Sequence, residues 1–131
     1  MVQQLGGTDD LAASLASAER ADALLVVYYT AAWCGPCRQV SPVYQAPADA
    51  EEWPFVQFVK ADVDEAQELA AQQRIAAMPT FQLWRQKTLV GQMQGADVPR
   101  LRALLSAHGG PNVHLKKGAA VTVGGLRSRP S

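Results

Sequence analysis

The chain has 131 residues, 48% of them apolar, and no net formal charge. That length suits one domain able to bury its own core, and the even charge balance argues against nucleic-acid binding. No apolar run approaches the ~18 residues needed to cross a membrane. The first twenty residues lack the basic and apolar regions of a secretory leader, so a reducing, cytoplasmic setting is expected. Charge is unevenly spread. All 12 acidic residues precede residue 98, whereas Lys116, Lys117, Arg127 and Arg129 close the chain.

Residues 2–5 read as a short edge strand. Thr8 is placed as a helix N-cap, with Asp9 and Asp10 suited to the first turn. Leu11, Leu15 and Ala18 recur at helical spacing, and Arg20 to Ala23 break the pattern. Leu24-Leu25-Val26-Val27-Tyr28-Tyr29 shows no polar alternation, as expected of a central strand covered on both faces. A second helix is predicted from Cys34 towards Ala50. Pro42 inside it removes one backbone bond, and Pro47 is a second place where regular helix is expected to end. Val56 to Asp62 reads as a strand parallel to the first, by a right-handed crossover. Glu65 to Gln73 is a short helix with little apolar surface, a light cover over the sheet. Thr80 to Trp84 and Leu89 to Gln94 pair as an antiparallel hairpin around Arg85-Gln86-Lys87-Thr88. Asp97 to His108 closes the domain as a helix with Leu101, Leu104 and Leu105 as its core stripe, stopped by Gly109-Gly110-Pro111.

The chemistry concentrates in Trp33-Cys34-Gly35-Pro36-Cys37, which holds both cysteines. A cysteine at the first turn of a helix faces unpaired backbone N–H groups and the positive end of the dipole. Both favour the thiolate and lower its pKa from about 8.5 to about 7 or below. The two-residue spacing puts both sulfurs in one turn, within bonding reach. Pro36 suits a first turn that needs no N–H from it, and Gly35 leaves room for another chain to approach. Trp33 is a flat surface beside the reactive sulfur. A zinc site would need four ligands, and the other candidates, His108 and His114, are spaced unlike a zinc knuckle. A purely structural disulfide across one turn would staple almost nothing. A C-x-x-C beside a βαβ pattern is a redox signature.

Ala31-Ala32-Trp33-Cys34-Gly35-Pro36-Cys37-Arg38 resembles the active site of the thioredoxins, and Ala77-Met78-Pro79-Thr80-Phe81 looks like that family's cis-proline segment. Gly95 falls where the family has its second substrate-facing glycine. The resemblance covers residues 2 to 108, nearly a whole thioredoxin domain. It implies an α/β thioredoxin fold, a central mixed β-sheet flanked by helices on both faces, with the domain at 1–109. Residues 110–131 have no counterpart there, and Gly118, Gly124, Gly125, Ser128, Pro130 and Ser131 make them read as a basic, flexible extension. Within that extension Val121-Thr122-Val123 is too short to insist on as a strand. The family carries a proline five residues after the second cysteine, so Pro42 reads as a kink. It also has a glycine where this hairpin has Lys87, which leaves the turn type open.

The resemblance implies a protein dithiol–disulfide oxidoreductase. Cys34 attacks a client disulfide, and Cys37 resolves the mixed disulfide and leaves Cys34–Cys37 oxidised. Cys34 is expected nearer the surface and Cys37 buried. A cis Met78–Pro79 bond would turn the backbone towards the cysteines, so that Met78 pairs with a client strand by β-augmentation. Trp33, Gly95 and Ala96 would complete a flat apolar rim. One position departs from the pattern: Tyr28 stands where thioredoxins bury an aspartate that helps deprotonate the resolving cysteine. A phenol is neutral at pH 7 and a poor base. Lys60, the usual neighbour of that aspartate, must then reach solvent, find another acceptor or lose its proton.

No bound cofactor or metal is expected, only the redox-active disulfide, with electrons from NADPH through a separate thioredoxin reductase or equivalent dithiol donor. The expected partners are disulfide-containing clients such as peroxidases and ribonucleotide reductase, met by a monomer. Two other classes share the motif: a disulfide-forming oxidant or isomerase, and a non-enzymatic thioredoxin-like subunit whose dithiol regulates binding.

Overall fold

The computed structural model describes residues 2–49 and 53–109. In chain order these form β1 (Gln3–Leu5), α1 (Thr8–Ala21), β2 (Leu24–Thr30), α2 (Gly35–Asp49), β3 (Val56–Asp62), α3 (Gln67–Gln72), β4 (Thr80–Arg85), β5 (Thr88–Gln94) and α4 (Val98–His108). The strands make one mixed sheet in the order β1-β3-β2-β4-β5. β1, β3 and β2 run parallel, and β4 and β5 are antiparallel to their neighbours.

Every residue of β2 from Leu24 to Tyr29 is buried, because helices cover both faces of the sheet. Leu24, Val26 and Tyr28 point into one apolar layer with Val40 and Tyr44 of α2 and Leu101 and Leu105 of α4. Leu25, Val27 and Tyr29 point into the other, with Leu11 and Ala18 of α1 and Leu69 of α3. An apolar run without alternation is what a strand sandwiched between two helical layers requires. On the α1 side Gln82 lies deep, 1% exposed. Its side-chain oxygen accepts from the Tyr29 hydroxyl at 2.8 Å, and its amide donates to Gln73 and Gln92 at 3.3 and 3.2 Å, so no donor is stranded.

Several boundaries differ from the sequence reading. Thr8 is not an N-cap but the first helical residue. Gly7 holds the cap position without a side-chain bond, and Asp10 instead accepts from the Gly6 N–H at 2.6 Å. α1 continues through Arg20 to Ala21, whose exposed side chains make the gap in the apolar pattern a solvent face. It ends at Asp22 (φ 53°), where the Asp22 and Ala23 N–H groups close back on Glu19 and Ala18 as in a Schellman cap. α2 runs on past Pro42 and past Pro47 to Asp49, each proline taking one N–H donor out of the helix. α3 is shorter than expected because Glu65 and Ala66 form a turn on the Asp62 carbonyl. Asp97, placed inside α4 by the sequence, is its N-cap and accepts from the Arg100 N–H at 3.1 Å. α4 stops at Gly109, where a Cβ would lie 2.6 Å from the Leu105 carbonyl oxygen and 2.9 Å from Val56. The extension at 110–131, with His114, lies outside the described residues. Among the described residues no group of three or more His, Cys, Asp or Glu is placed to hold a metal.

The hairpin turn resolves as a mirrored type I turn. Gln86 and Lys87 have φ of 51° and 62°, the left-handed region that matches strand twist and favours Asn-Gly. Both positions here carry side chains. Lys87 also reaches Glu19 at 3.3 Å, but half-exposed ion pairs of this kind contribute little. Lys87→Gly is therefore expected to stabilise the fold by about 1 kcal/mol, read as a higher urea midpoint at unchanged slope; an unchanged or lower midpoint would show that the turn carries no such strain.

Candidate active site

The site is set by where β2 and β4 end. β2 pairs with β3 on one side and with antiparallel β4 on the other. Tyr29, near the carboxyl end of β2, lies opposite Thr80, the first residue of β4. The segment before β4, Met78-Pro79, thus sits beside the loop that leaves β2, which carries Cys34 and Cys37. β4 continues into β5, whose last residue, Gln94, returns opposite Thr80. That brings Gly95 to the same corner, where its N–H donates to the Pro79 carbonyl at 2.9 Å. Gly95 has φ 101°, a conformation a side chain would strain. The Met78–Pro79 peptide is cis, as the resemblance implied.

Cys34 and Cys37 form a disulfide with Cα atoms 5.3 Å apart. Cys34 immediately precedes α2 and occupies its N-cap position. Gly35 and Pro36 follow, and Pro36 has no N–H to give, so Cys37 supplies the first N–H that points back at the cap. It donates to Cys34 Sγ at 3.2 Å. This is the contact a serine or aspartate cap makes with oxygen, here made with sulfur. Reduction would leave the Cys34 sulfur in the same place, facing the helix dipole.

Burial corrects one expectation. Cys34 is 4% exposed and Cys37 is 2% exposed, so Cys34 is covered nearly as well as its partner. Both sulfurs are turned into the apolar layer beneath the first helical turn, with half-buried Met78 packed against it. Gly35 and Pro36, which bridge them, are exposed, and a Cβ on Gly35 would meet no atom within 4 Å.

Trp33 is 63% exposed. Ala96 is also exposed and Gly95 half-buried, but the rim is not wholly apolar. The indole N–H of Trp33 donates to the Asp64 carboxylate at 2.8 Å. Asp64 follows β3, and its own N–H is held by Asp62 at 2.8 Å. No sequence signal singled out Asp64; only the parallel β2–β3 ladder brings its turn beside Trp33.

Tyr28 is 1% exposed, and its hydroxyl donates to the Cys37 carbonyl oxygen at 3.1 Å. Its ring stacks on Phe81, with centroids 5.0 Å apart and planes at 10°, and leans on Tyr44 at 4.8 Å. Tyr44 in turn meets Phe58 edge-on at 5.3 Å, and its hydroxyl reaches the Val59 and Val26 carbonyls at 2.7 and 3.0 Å. Burial pushes the Tyr44 phenol well above its ordinary range, so it stays protonated and bonded to the sheet. An aromatic cluster thus fills the place of a buried carboxylate. Tyr44 was not singled out by the sequence reading, although its position seven residues after Cys37 puts it on the same helix face. Lys60 lies opposite Tyr28 in the β2–β3 register, half-buried, and keeps partial contact with solvent.

The thioredoxin family model matches residues 10–107. Thioredoxin Asp f 29 of Aspergillus fumigatus is 40% identical over 84 residues, which span 64% of this chain and 76% of that one. Callithrix jacchus thioredoxin is 34% identical over 106 residues, 81% of this chain and 97% of that one. The X-ray structure of Fasciola hepatica thioredoxin superposes with a TM-score of 0.77 at 36% identity, covering 82% of this chain and 99% of that one. With both cysteines, the helix that carries them and the cis-proline corner all lying within the matched region, this chain belongs to the thioredoxin family of thiol–disulfide oxidoreductases.

Proposed function

We propose that this protein reduces disulfides of client proteins by way of a mixed disulfide at Cys34. The observation that carries the reading is the disulfide at the N-terminus of α2, with the Cys37 N–H aimed at Cys34 Sγ at 3.2 Å. In the reduced protein the Cys34 thiolate attacks one client sulfur and forms an S–S bond to it. The other client sulfur leaves with the electron pair and takes up a proton. Cys37 then attacks Cys34, the Cys34–client bond breaks, and the client leaves as a dithiol. The client gains two electrons and the protein loses two.

Exposed Trp33, Gly35 and Pro36 form the surface a client would meet, and Met78, Gly95 and Ala96 would offer it a backbone edge beside the sulfurs. Main-chain pairing of this kind reads few side chains, which suits clients such as peroxidases and ribonucleotide reductase. Electrons would come from NADPH through a thioredoxin reductase or an equivalent dithiol donor, to a monomer working in the cytoplasm without a membrane or nucleic-acid partner. Residues 1–109 would carry all of this, with 110–131 as an appended basic segment.

Tyr28 bears on the electrostatics. A carboxylate at that position would oppose a negative charge on nearby sulfur. With a tyrosine there, Cys34 ionises more readily and Cys37 is activated without a carboxylate, its proton passing to water or to the departing thiolate.

Three outcomes check this reading. Cys37→Ser should accumulate mixed disulfides with clients through Cys34, and Cys34→Ser should capture none; capture by neither variant rejects the mechanism. Reduced wild type should turn over insulin disulfides when supplied with thioredoxin reductase and NADPH, whereas a purely regulatory subunit would not. Tyr28→Asp should raise the midpoint of Cys34 alkylation against pH by about one unit; an unchanged or lower midpoint would remove the charge argument.

A further inference from the structure

We propose that Tyr28 is a positioning residue for the second half of the reaction, and that its hydroxyl holds Cys37 in line for attack on the mixed disulfide. The inference rests on the reading of Cys37 as the resolving thiol. It starts from the geometry of one side chain that touches both halves of the site. The hydroxyl of Tyr28 donates to the backbone carbonyl of Cys37 at 3.1 Å, nine residues along the chain. The ring lies flat on Phe81, two residues after cis Pro79, with centroids 5.0 Å apart. Tyr28 and Phe81 are also paired in the β2–β4 ladder, so the stack is held by backbone register as well as by ring contact.

The bond is directional in a way that matters chemically. Its proton points at a carbonyl, so the hydroxyl anchors the peptide of Cys37 and does not act as a base towards its sulfur. The carbonyl belongs to the first turn of α2, five residues before Pro42. A rigid tether at that turn sets where Cys37 Sγ lies relative to Cys34. Resolution needs Cys37 Sγ to approach along the axis of the Cys34–client bond. It forms the Cys34–Cys37 bond and expels the client sulfur with its electron pair; the client sulfur recovers a proton, and Cys37 gives one up. Displacements of about 1 Å in such steps cost about 100-fold in rate. The first half of the reaction, in which Cys34 attacks, uses the Cys37 N–H but not the Cys37 sulfur.

Tyr44 supplies an internal control. It also places a buried hydroxyl on backbone carbonyls, those of Val26 and Val59, and it belongs to the same aromatic cluster. Its bonds, however, fasten α2 to the sheet seven residues beyond Cys37.

The test uses reduced full-length protein mixed with excess insulin, quenched with acid at intervals, with the mixed disulfide quantified by mass across pH 6 to 9. Cys37→Ser marks the fully arrested level. Tyr28→Phe keeps the ring on Phe81 and loses only the hydroxyl. It should lengthen the lifetime of the mixed disulfide about tenfold, by the same factor at every pH, with the Cys34 alkylation profile unchanged. Tyr44→Phe should resolve at the wild-type rate even where it lowers the urea midpoint. Phe81→Leu, which keeps the hydroxyl but removes the ring it stacks on, should lengthen the lifetime in the same sense. A wild-type lifetime in Tyr28→Phe or in Phe81→Leu, an equal effect in Tyr44→Phe, or a shifted pH midpoint would each overturn the proposal. If Cys37→Ser captures insulin while Tyr28→Phe behaves as wild type, only the positioning role fails. If Cys37→Ser captures nothing, the functional reading fails with it.

Discussion

The side chains of β2 alternate between two apolar layers, and a slip of one residue would exchange them. Leu24, Val26 and Tyr28 would then face α1 and α3, and Leu25, Val27 and Tyr29 would face α2 and α4. Double burial therefore pins β2 against β3 and β4 in one register. That register decides where the chemistry sits. The strand's carboxyl end delivers the cysteines at the start of α2, and the antiparallel partner begins at the same level with Thr80. A corner of the sheet becomes a site because two chain segments, some forty residues apart in sequence, have no other place to end.

At that corner the N–H that faces the sulfur comes from the backbone. The cap position of α2 collects N–H groups that the helix cannot use, and the Cys37 N–H reaches the sulfur that fills it. Nothing in this requires a charged side chain beneath the sulfurs. The space a carboxylate would occupy is filled by Tyr28, Tyr44, Phe58 and Phe81, whose rings meet at 4.8 to 5.9 Å in stacked, tilted and edge-on contacts. Such a cluster stabilises by packing and by ring geometry. Its two hydroxyls bond in opposite senses, Tyr28 from strand to helix and Tyr44 from helix to strands. α2 is thus fastened to the sheet at both its first turn and its middle, on either side of Pro42.

Elsewhere the chain tolerates conformations that glycine would adopt more easily. Asp22, Arg74, Gln86 and Lys87 all have positive φ. Asp22 and Arg74 end α1 and α3, where following N–H groups close on carbonyls five residues back, Ala23 on Ala18 and Ile75 on Ala70. These are C-terminal caps with side chains where glycine is usual. Asp22 also accepts from the Gln86 side chain at 3.0 Å and lies 3.6 Å from the Arg85 guanidinium. The end of α1 is in this way tied to the β4–β5 turn, which offsets part of the cost of its backbone.

The sequence alone determined what depends on local pattern. The unbroken apolar run predicted a doubly covered strand, Leu101 and Leu105 a core stripe, and Cys34-Gly35-Pro36-Cys37 a dithiol at a helix start. The resemblance added the cis bond at Pro79 and the fold itself. Local pattern was less reliable at ends, as at Thr8, Ala21 and Asp97, because caps and final turns are decided by which neighbour accepts each N–H. Only the tertiary structure decided that Trp33 is bonded to Asp64, that Cys34 is almost as buried as Cys37, and that Tyr28 holds the Cys37 carbonyl. Each of these joins residues brought together by strand register or by the docking of α2. A contact of that kind is a property of how layers pack, and it leaves no period or spacing in the chain to be read beforehand.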